Sequence, residues 1–326
     1  MPLLIVNASE TRELLPMPDC VAVMERAMRA VSCGTVVMPG REVTPLQGGG
    51  HLFVMPGALS EDGTLGAKIL SELPANPGAG RPAVQGFVTL FDALTGAPAA
   101  LLDGVEITRL RTAAASALAT RELARGDANS HGIMGAGAQA AAHMEAVSCV
   151  RSIREVRIWA RDPDKARRFV ASHRDKTDAE LVPVNDPADA AACDIVSTVT
   201  GATSPVLQGD WLRPGCHVNL VGAHRPDYRE IDSTGMARAA LFVDSREAAL
   251  KEAGDLLLPL SEGLVTAEHI RGEIGEVLSG DAQGRVGGGQ VTAYKSLGLA
   301  AQDLFAAVFV IEAARAAGKG RTVEFP

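Results

Sequence analysis

The chain has 326 residues, 47% of them hydrophobic and 4% aromatic, with 31 lysines and arginines against 39 aspartates and glutamates for a net charge of −8. That length predicts about two domains with room for a large core, and the composition excludes disordered, collagenous and disulfide-stapled chains. The acidic balance gives no basic footprint for nucleic acid or an anionic membrane, so an anionic ligand must be met by locally placed cations.

The first apolar run, Leu3–Val6, is short and lacks a preceding basic region, so no secretory signal is expected. No run of about 18 apolar residues predicts a membrane span. Cys20, Cys33, Cys149, Cys193 and Cys216 are scattered without zinc or redox spacing, as in a cytoplasmic protein with free thiols. Residues 18–33 predict a helix: Pro18 and Asp19 suit its first turn, Gly34 its end, and Val21, Met24, Met28 and Val31 share a face. A stretch broken by Pro and Gly follows, with strands predicted at 51–55, 65–70, 87–91 and 99–102. Asp92-Ala-Leu-Thr-Gly96 reads as a hairpin, which makes that sheet at least partly antiparallel. A helix over 105–124 closes this part.

From Ser130 strands and helices alternate. Strands are predicted at 132–134, 156–159, 181–184, 195–199, 218–221 and 240–243, with helices notably at 139–150 and 163–173. Such alternation predicts right-handed βαβ units and a parallel sheet, an α/β fold. An Ala-rich helix over 297–316 follows Gly287-Gly-Gly289 and is expected to return to the first domain.

The run Ile133-Met134-Gly135-Ala136-Gly137-Ala138-Gln139-Ala140 is G-x-G-x-x-A between a predicted strand and helix. Gly135 allows the tight turn, Gly137 lets a pyrophosphate approach, and Ala140 permits close helix–sheet contact. Ala138 and Gln139 open the helix, whose N–H groups and dipole favour an anion. The alternative is a Gly-rich turn without a ligand. After the second strand stand Ala160-Arg161-Asp162. An NAD site places an acid there and an NADP site a cation, so Arg161 favours NADPH, with NADH still possible through Asp162.

Three cations in the first part stand out. Arg41 lies in Met38-Pro39-Gly40-Arg41, Lys68 inside Leu65-Gly66-Ala67-Lys68-Ile69-Leu70, and Arg111 in Thr108-Arg109-Leu110-Arg111-Thr112. A cation within an apolar strand needs a carboxylate or a ligand. For each, a surface charge or structural ion pair is the alternative.

Together these motifs resemble the ornithine cyclodeaminase/mu-crystallin family over nearly the whole chain. The matching segments are Gly66-Ala67-Lys68, Leu102-Asp103-Gly104, Arg111-Thr112-Ala113-Ala114 and the glycine loop, then Gly222-Ala223-His224-Arg225-Pro226-Asp227-Tyr228-Arg229-Glu230, Phe242-Val243-Asp244-Ser245 and Lys295-Ser296-Leu297-Gly298. The run from Val221 to Asp255 is most similar to the mu-crystallin branch of ketimine reductases.

The resemblance implies a Rossmann NAD(P)-binding domain, residues 126–299, inserted in an α+β substrate-binding and dimerisation domain, residues 1–125 plus 300–326, in a homodimer. Carried across by motif, Arg41, Lys68 and Arg111 hold the substrate carboxylate. Thr112, Gly135, Gly137, Ala138, Gln139, Arg161, Thr198 and Val221 take the cofactor. Lys68 and His224 are the expected catalytic residues. Cyclodeaminases have Asp at the position of His224, and the mu-crystallin branch has a small hydroxyl residue. The missing carboxylate counts against an ornithine substrate. An imidazole there could serve the proton of an imine nitrogen, or merely line the cleft.

The expected function is NADPH-dependent reduction of cyclic α-ketimine carboxylates, Δ1-pyrroline-2-carboxylate or Δ1-piperideine-2-carboxylate, to L-proline or L-pipecolate. The expected partner is thus a small imino or amino acid carrying a carboxylate. The alternatives are ornithine or lysine cyclodeamination, reductive amination as in an alanine dehydrogenase, and a non-catalytic mu-crystallin-like binding protein.

Overall fold

The computed structural model describes residues 2–47, 49–60 and 63–324. Its contacts divide the chain into two units, residues 1–111 with 298–326 and residues 112–297. The division falls inside a continuous helix, Gly104–Leu123, rather than after residue 125.

In the first unit β1 (Leu3–Val6) precedes α1 (Ala8–Leu14) and α2 (Met17–Ser32). Asn7 caps α1, its Oδ1 accepting the N–H groups of Ser9 and Glu10. Of the predicted stripe of α2, Val21, Met24 and Met28 are buried, with Cys20 and Ala27 turned inward beside them, while Val31 is only half-buried. Two short strands, β2 (Val36–Val37) and β3 (Glu42–Pro45), come next. The four expected strands are β4 (His51–Leu59), β5 (Thr64–Glu72), β6 (Val84–Asp92) and β7 (Pro98–Asp103), each extended beyond its predicted span. The hairpin between β6 and β7 is closed by Asp92, whose Oδ1 accepts the N–H groups of Leu94 and Thr95. Helix α3 (Gly104–Leu123) carries the chain into the second unit.

The second unit alternates β8 (Ser130–Met134), α4 (Ala138–Ser148), β9 (Glu155–Trp159), α5 (Pro163–His173), β10 (Glu180–Val184), α6 (Pro187–Ala191) and β11 (Ile195–Thr198). Then come β12 (His217–Leu220), α7 (Ser233–Arg238), β13 (Ala240–Val243), α8 (Arg246–Glu252), α9 (Gly254–Ser261), β14 (Ile270–Glu273), α10 (Ile274–Ser279) and β15 (Thr292–Lys295). The sheet runs β10-β9-β8-β11-β12-β15-β13-β14, every pairing parallel. Its central strands β11, β12, β13 and β15 are buried at every residue, as a parallel sheet covered on both faces requires. Val196, Val218, Leu220, Leu241 and Ala293 belong to one core, while Ile133, Val156, Ile158, Phe169 and Leu181 form another.

The chain returns to the first unit with α11 (Ala300–Ala317) and β16 (Arg321–Val323). Helix α11 packs against α2 and against β4, β5 and β6. The first sheet runs β16-β1-β7-β6-β5-β4-β2, with β3 also on β4. The apolar run Leu3–Val6, read from sequence only as too short for a signal, is the strand between β16 and β7. All five cysteines are free, Cys20, Cys193 and Cys216 buried. Among the described residues no helix is long and apolar enough to cross a membrane.

Candidate active site

Strand β5 buries Gly66, Lys68 and Leu70 on one face, and that alternation turns Lys68 inward. Lys68 is 2% exposed, and its Nζ stands 2.7 Å from Oδ2 of Asp303 in the first turn of α11. Arg111 of α3 donates from Nε to Asp303 Oδ1 at 2.9 Å and from Nη1 to Gln302 Oε1 at 2.9 Å. Arg41 donates from Nη2 to the carbonyl of Gly298 at 3.1 Å. Gly298 has φ +82°, and a Cβ there would stand 2.5 Å from Arg111 Nη1, so only glycine lets the chain pass the guanidinium.

Lys68 and Arg111 thus share one carboxylate, and the trio retains one positive charge away from water. Burial and then the Arg111 charge lower the Lys68 pKa to about 7, with Arg41 adding and Asp303 opposing. A ligand carboxylate would supply the missing counter-charge. Sequence reasoning singled out the cations but not Asp303 or Gln302. A carboxylate in the first turn of an apolar helix, where the dipole favours it, was the available signal.

In the second unit the turn after β8 meets the demands of a dinucleotide. Gly135 has φ +131°, and a Cβ there would stand 2.9 Å from Val199. Gly137 and Ala138 are exposed, and no side chain caps α4, which leaves its first-turn N–H groups for an anion. Ala140 is fully buried, and buried Gln139 Oε1 has no partner among the described residues. This donor set fits a nicotinamide dinucleotide.

Arg161 is exposed just after β9 and makes no ion pair among the described residues. Asp162 instead caps α5: its Oδ1 accepts the Asp164 N–H at 3.0 Å, and Oδ2 lies 3.4 Å from Arg168. Thr112 is buried on α3, and half-buried Val221 donates its N–H to the Thr198 carbonyl at 3.1 Å. Thr198 is fully buried, its hydroxyl donating to Glu230 at 2.8 Å.

His224 lies half-buried on the loop after β12, Nδ1 3.2 Å from the Gly222 carbonyl. Three fully buried ionisable residues of the same unit, Glu230, Asp255 and Lys295, had no role assigned from sequence. Burial, reinforced by the Asp255 charge, pushes the Glu230 carboxyl up, against the Thr200 hydrogen bond and Lys295. The site residues therefore fall into a cation cluster in the first unit and a set of strand-end loops in the second.

The chain matches the model of the ornithine cyclodeaminase/mu-crystallin family over residues 3–318. It is 36% identical over 326 residues to Delta(1)-pyrroline-2-carboxylate reductase of Bacillus cereus, covering 99% of this chain and 100% of that protein. It is 40% identical over 280 residues to the ketimine reductase mu-crystallin of Mus musculus, 86% of each chain. The structure of Thermococcus litoralis Delta(1)-pyrroline-2-carboxylate reductase in complex with NADH and L-proline matches with a TM-score of 0.95 at 35% identity, over 98% of this chain and 100% of that one. Motifs, fold and whole-length similarity agree: the chain belongs to the ornithine cyclodeaminase/mu-crystallin family.

Proposed function

We propose that the protein is an NADPH-dependent reductase of cyclic α-ketimine carboxylates, converting Δ1-pyrroline-2-carboxylate or Δ1-piperideine-2-carboxylate to L-proline or L-pipecolate. The observation that carries this reading is the pair Lys68 and Arg111 on the single carboxylate of Asp303, which leaves one positive charge for a substrate carboxylate. The Bacillus cereus relative bears the name of this activity, and the Thermococcus litoralis structure holds L-proline with NADH. Both are named as reductases of the same compound, and the Thermococcus litoralis structure holds the nicotinamide cofactor.

Reduction adds a hydride to the imine carbon and a proton to the ring nitrogen. The dihydronicotinamide, when bound, supplies the hydride. Arg111, Lys68 and Arg41 anchor the carboxylate, the guanidinium as a planar fork, and so fix the adjoining carbon in position. His224 serves the proton at the ring nitrogen, a task suited to an imidazole. Gly135, Gly137, Ala138 and Gln139 cradle the pyrophosphate, with Thr112, Thr198 and Val221 at the cofactor's edges. Arg161 takes a ribose 2′-phosphate; the capping role of Asp162 supports NADPH over NADH, since that carboxylate is committed to α5.

The protein acts as a homodimer in this reading, with exposed Val37, Val43 and Leu46 near the β2–β3 edge as apolar surface for a second copy. The test is oxidation of NADPH and of NADH with both cyclic imines, beside pyruvate plus ammonia or methylamine, and ornithine with NAD+. Turnover of the cyclic imines is expected. Activity only with pyruvate and an amine, or ammonia release from ornithine, would overturn the assignment.

A further inference from the structure

Beneath the His224 loop, one buried carboxylate ties two strand ends together. Glu230 Oε1 accepts the Thr200 N–H at 2.8 Å and the Thr200 hydroxyl at 2.6 Å. Its Oε2 accepts the Thr198 hydroxyl at 2.8 Å and the Gly222 N–H at 2.6 Å. Thr198 ends β11, Thr200 lies in the turn that follows it and Gly222 follows β12, so the carboxylate bridges two adjacent turns at the carboxyl ends of a parallel sheet. In doubly wound folds such ends line the ligand crevice. The turn after β11 also reaches the dinucleotide loop, because Val199 donates its N–H to the Met134 carbonyl at 2.9 Å and abuts Gly135.

Glu230 is itself held from below. Its N–H donates to Asp255 Oδ1 at 2.7 Å, and Asp255 Oδ2 lies 2.9 Å from Lys295 Nζ on β15. Lys295 Nζ also donates to the carbonyls of Leu220 and Ala223. Gly254 donates its N–H to the Arg225 carbonyl at 3.2 Å, and a Cβ at Gly254 would stand 2.1 Å from the Tyr228 carbonyl oxygen. The backbone is thus pinned at residues 222, 223 and 225, on both sides of His224. A carboxylate with four donors, two of them backbone N–H groups that cannot accept, requires its acceptor oxygens on both sides.

We infer that Glu230, braced by Asp255 and Lys295, is a positioning residue that sets the height of the 198–200 and 221–224 turns and thereby the placement of His224 and of the cofactor's reacting end. This rests on the reductase reading above, but the brace can be tested apart from it. In Glu230→Gln the amide nitrogen must face a donor, so one turn loses its anchor while side-chain size is kept. Amide exchange should then rise at least about tenfold in peptides covering 198–202 and 221–225 and stay unchanged over 130–160, as expected for a local opening. With the cyclic imine, kcat should fall about 10²-fold from misplacement alone. The substrate KM and the NADPH Kd should hold within about threefold, because the carboxylate clamp and the pyrophosphate loop are not altered. The primary isotope effect with NADPH deuterated at the transferred position should increase.

Thr200→Val, which deletes one donor and leaves the carboxylate intact, should show the same pattern more weakly and guards against a variant that fails to fold. Unchanged exchange at both turns would overturn the brace. So would exchange rising throughout the second unit, or kcat falling only as the NADPH Kd rises. Should the wild-type protein reduce no cyclic imine, the reductase reading fails while the exchange contrast still decides the brace.

Discussion

Lys68 and Arg111 meet a single carboxylate, Asp303, at the one place in the first unit where two expected substrate cations are paired out of water. Removing one partner of a buried charge pair costs about 2–5 kcal/mol. Lys68→Met and Arg111→Met should therefore lower kcat/KM by about two to three orders of magnitude, with the NADPH Kd unchanged in a fluorescence titration. Normal turnover in both variants would remove these residues from the site. The pH dependence has a definite sign. Lys68 must be protonated to hold a carboxylate, and its pKa is lowered to about 7, so kcat/KM should fall as pH rises through neutrality. Asp303 is the group that raises this pKa, so in Asp303→Asn the falling limb should begin at lower pH. An unmoved limb in the pH profile would assign it to another group. Lys68 stood out in the sequence because charge inside an apolar strand is costly, whereas the roles of Arg41 and Arg111 came from the family resemblance. Asp303 did not, since a lone acid near a helix start has many ordinary reasons to be there.

At the scale of elements, the strand–loop–helix from β8 to α4 was readable residue by residue, because Gly135, Gly137 and Ala140 answer local steric demands. The tip of β9 is equally local. Arg161 is exposed there while Asp162 caps α5, so Arg161→Ala should weaken NADPH binding about tenfold or more, as for loss of a charge-assisted hydrogen bond, and leave NADH binding unchanged. Parallel titrations of the two cofactors decide it; an unchanged preference would leave Arg161 a solvated charge. Element ends were less well read. β4 runs to Leu59 rather than residue 55, and β5 to Glu72 rather than residue 70, because pairing with neighbours extends strands past their apolar stretch. β15 was not anticipated at all. Its Thr-Ala-Tyr-Lys carries no strand periodicity, and it is a strand because β12 and β13 hold it between them.

Across the second unit as a whole, His131, His143 and His217 are fully buried and hydrogen-bonded to Ser197, Ser116 and the Asn219–Thr292 pair. Burial first lowers their pKa values to about 3, about 4 and about 3. In the unfolded chain a histidine titrates at about 6.5. The unfolded state therefore binds more protons below that pH, and the stability these residues share is complete above it and lost as pH falls toward 3–4. The urea midpoint should drop between pH 7 and pH 4.5, and the drop should be smaller in His131→Gln. An equal drop would assign the acid sensitivity to carboxylates instead. For the proposed homodimer, Val43→Lys on the exposed β3 strand should shift sedimentation from dimer to monomer; a wild-type monomer would overturn the dimer, and an unchanged dimer would move the interface elsewhere.

Periodicity, glycine sterics and the placement of charge within apolar runs act over a few residues. They were enough to point to the α/β alternation, the dinucleotide loop and Lys68 as a charge in need of a partner. Contacts between segments far apart in the chain needed the folded form. Asp303 joins Lys68 and Arg111 from 192 residues beyond the latter. Lys295 reaches Asp255 from the strand inserted between β12 and β13, and Glu230 ties two turns that share no local pattern. A buried charge announces in the sequence that it needs a partner; which partner answers depends on what folding brings within hydrogen-bond reach.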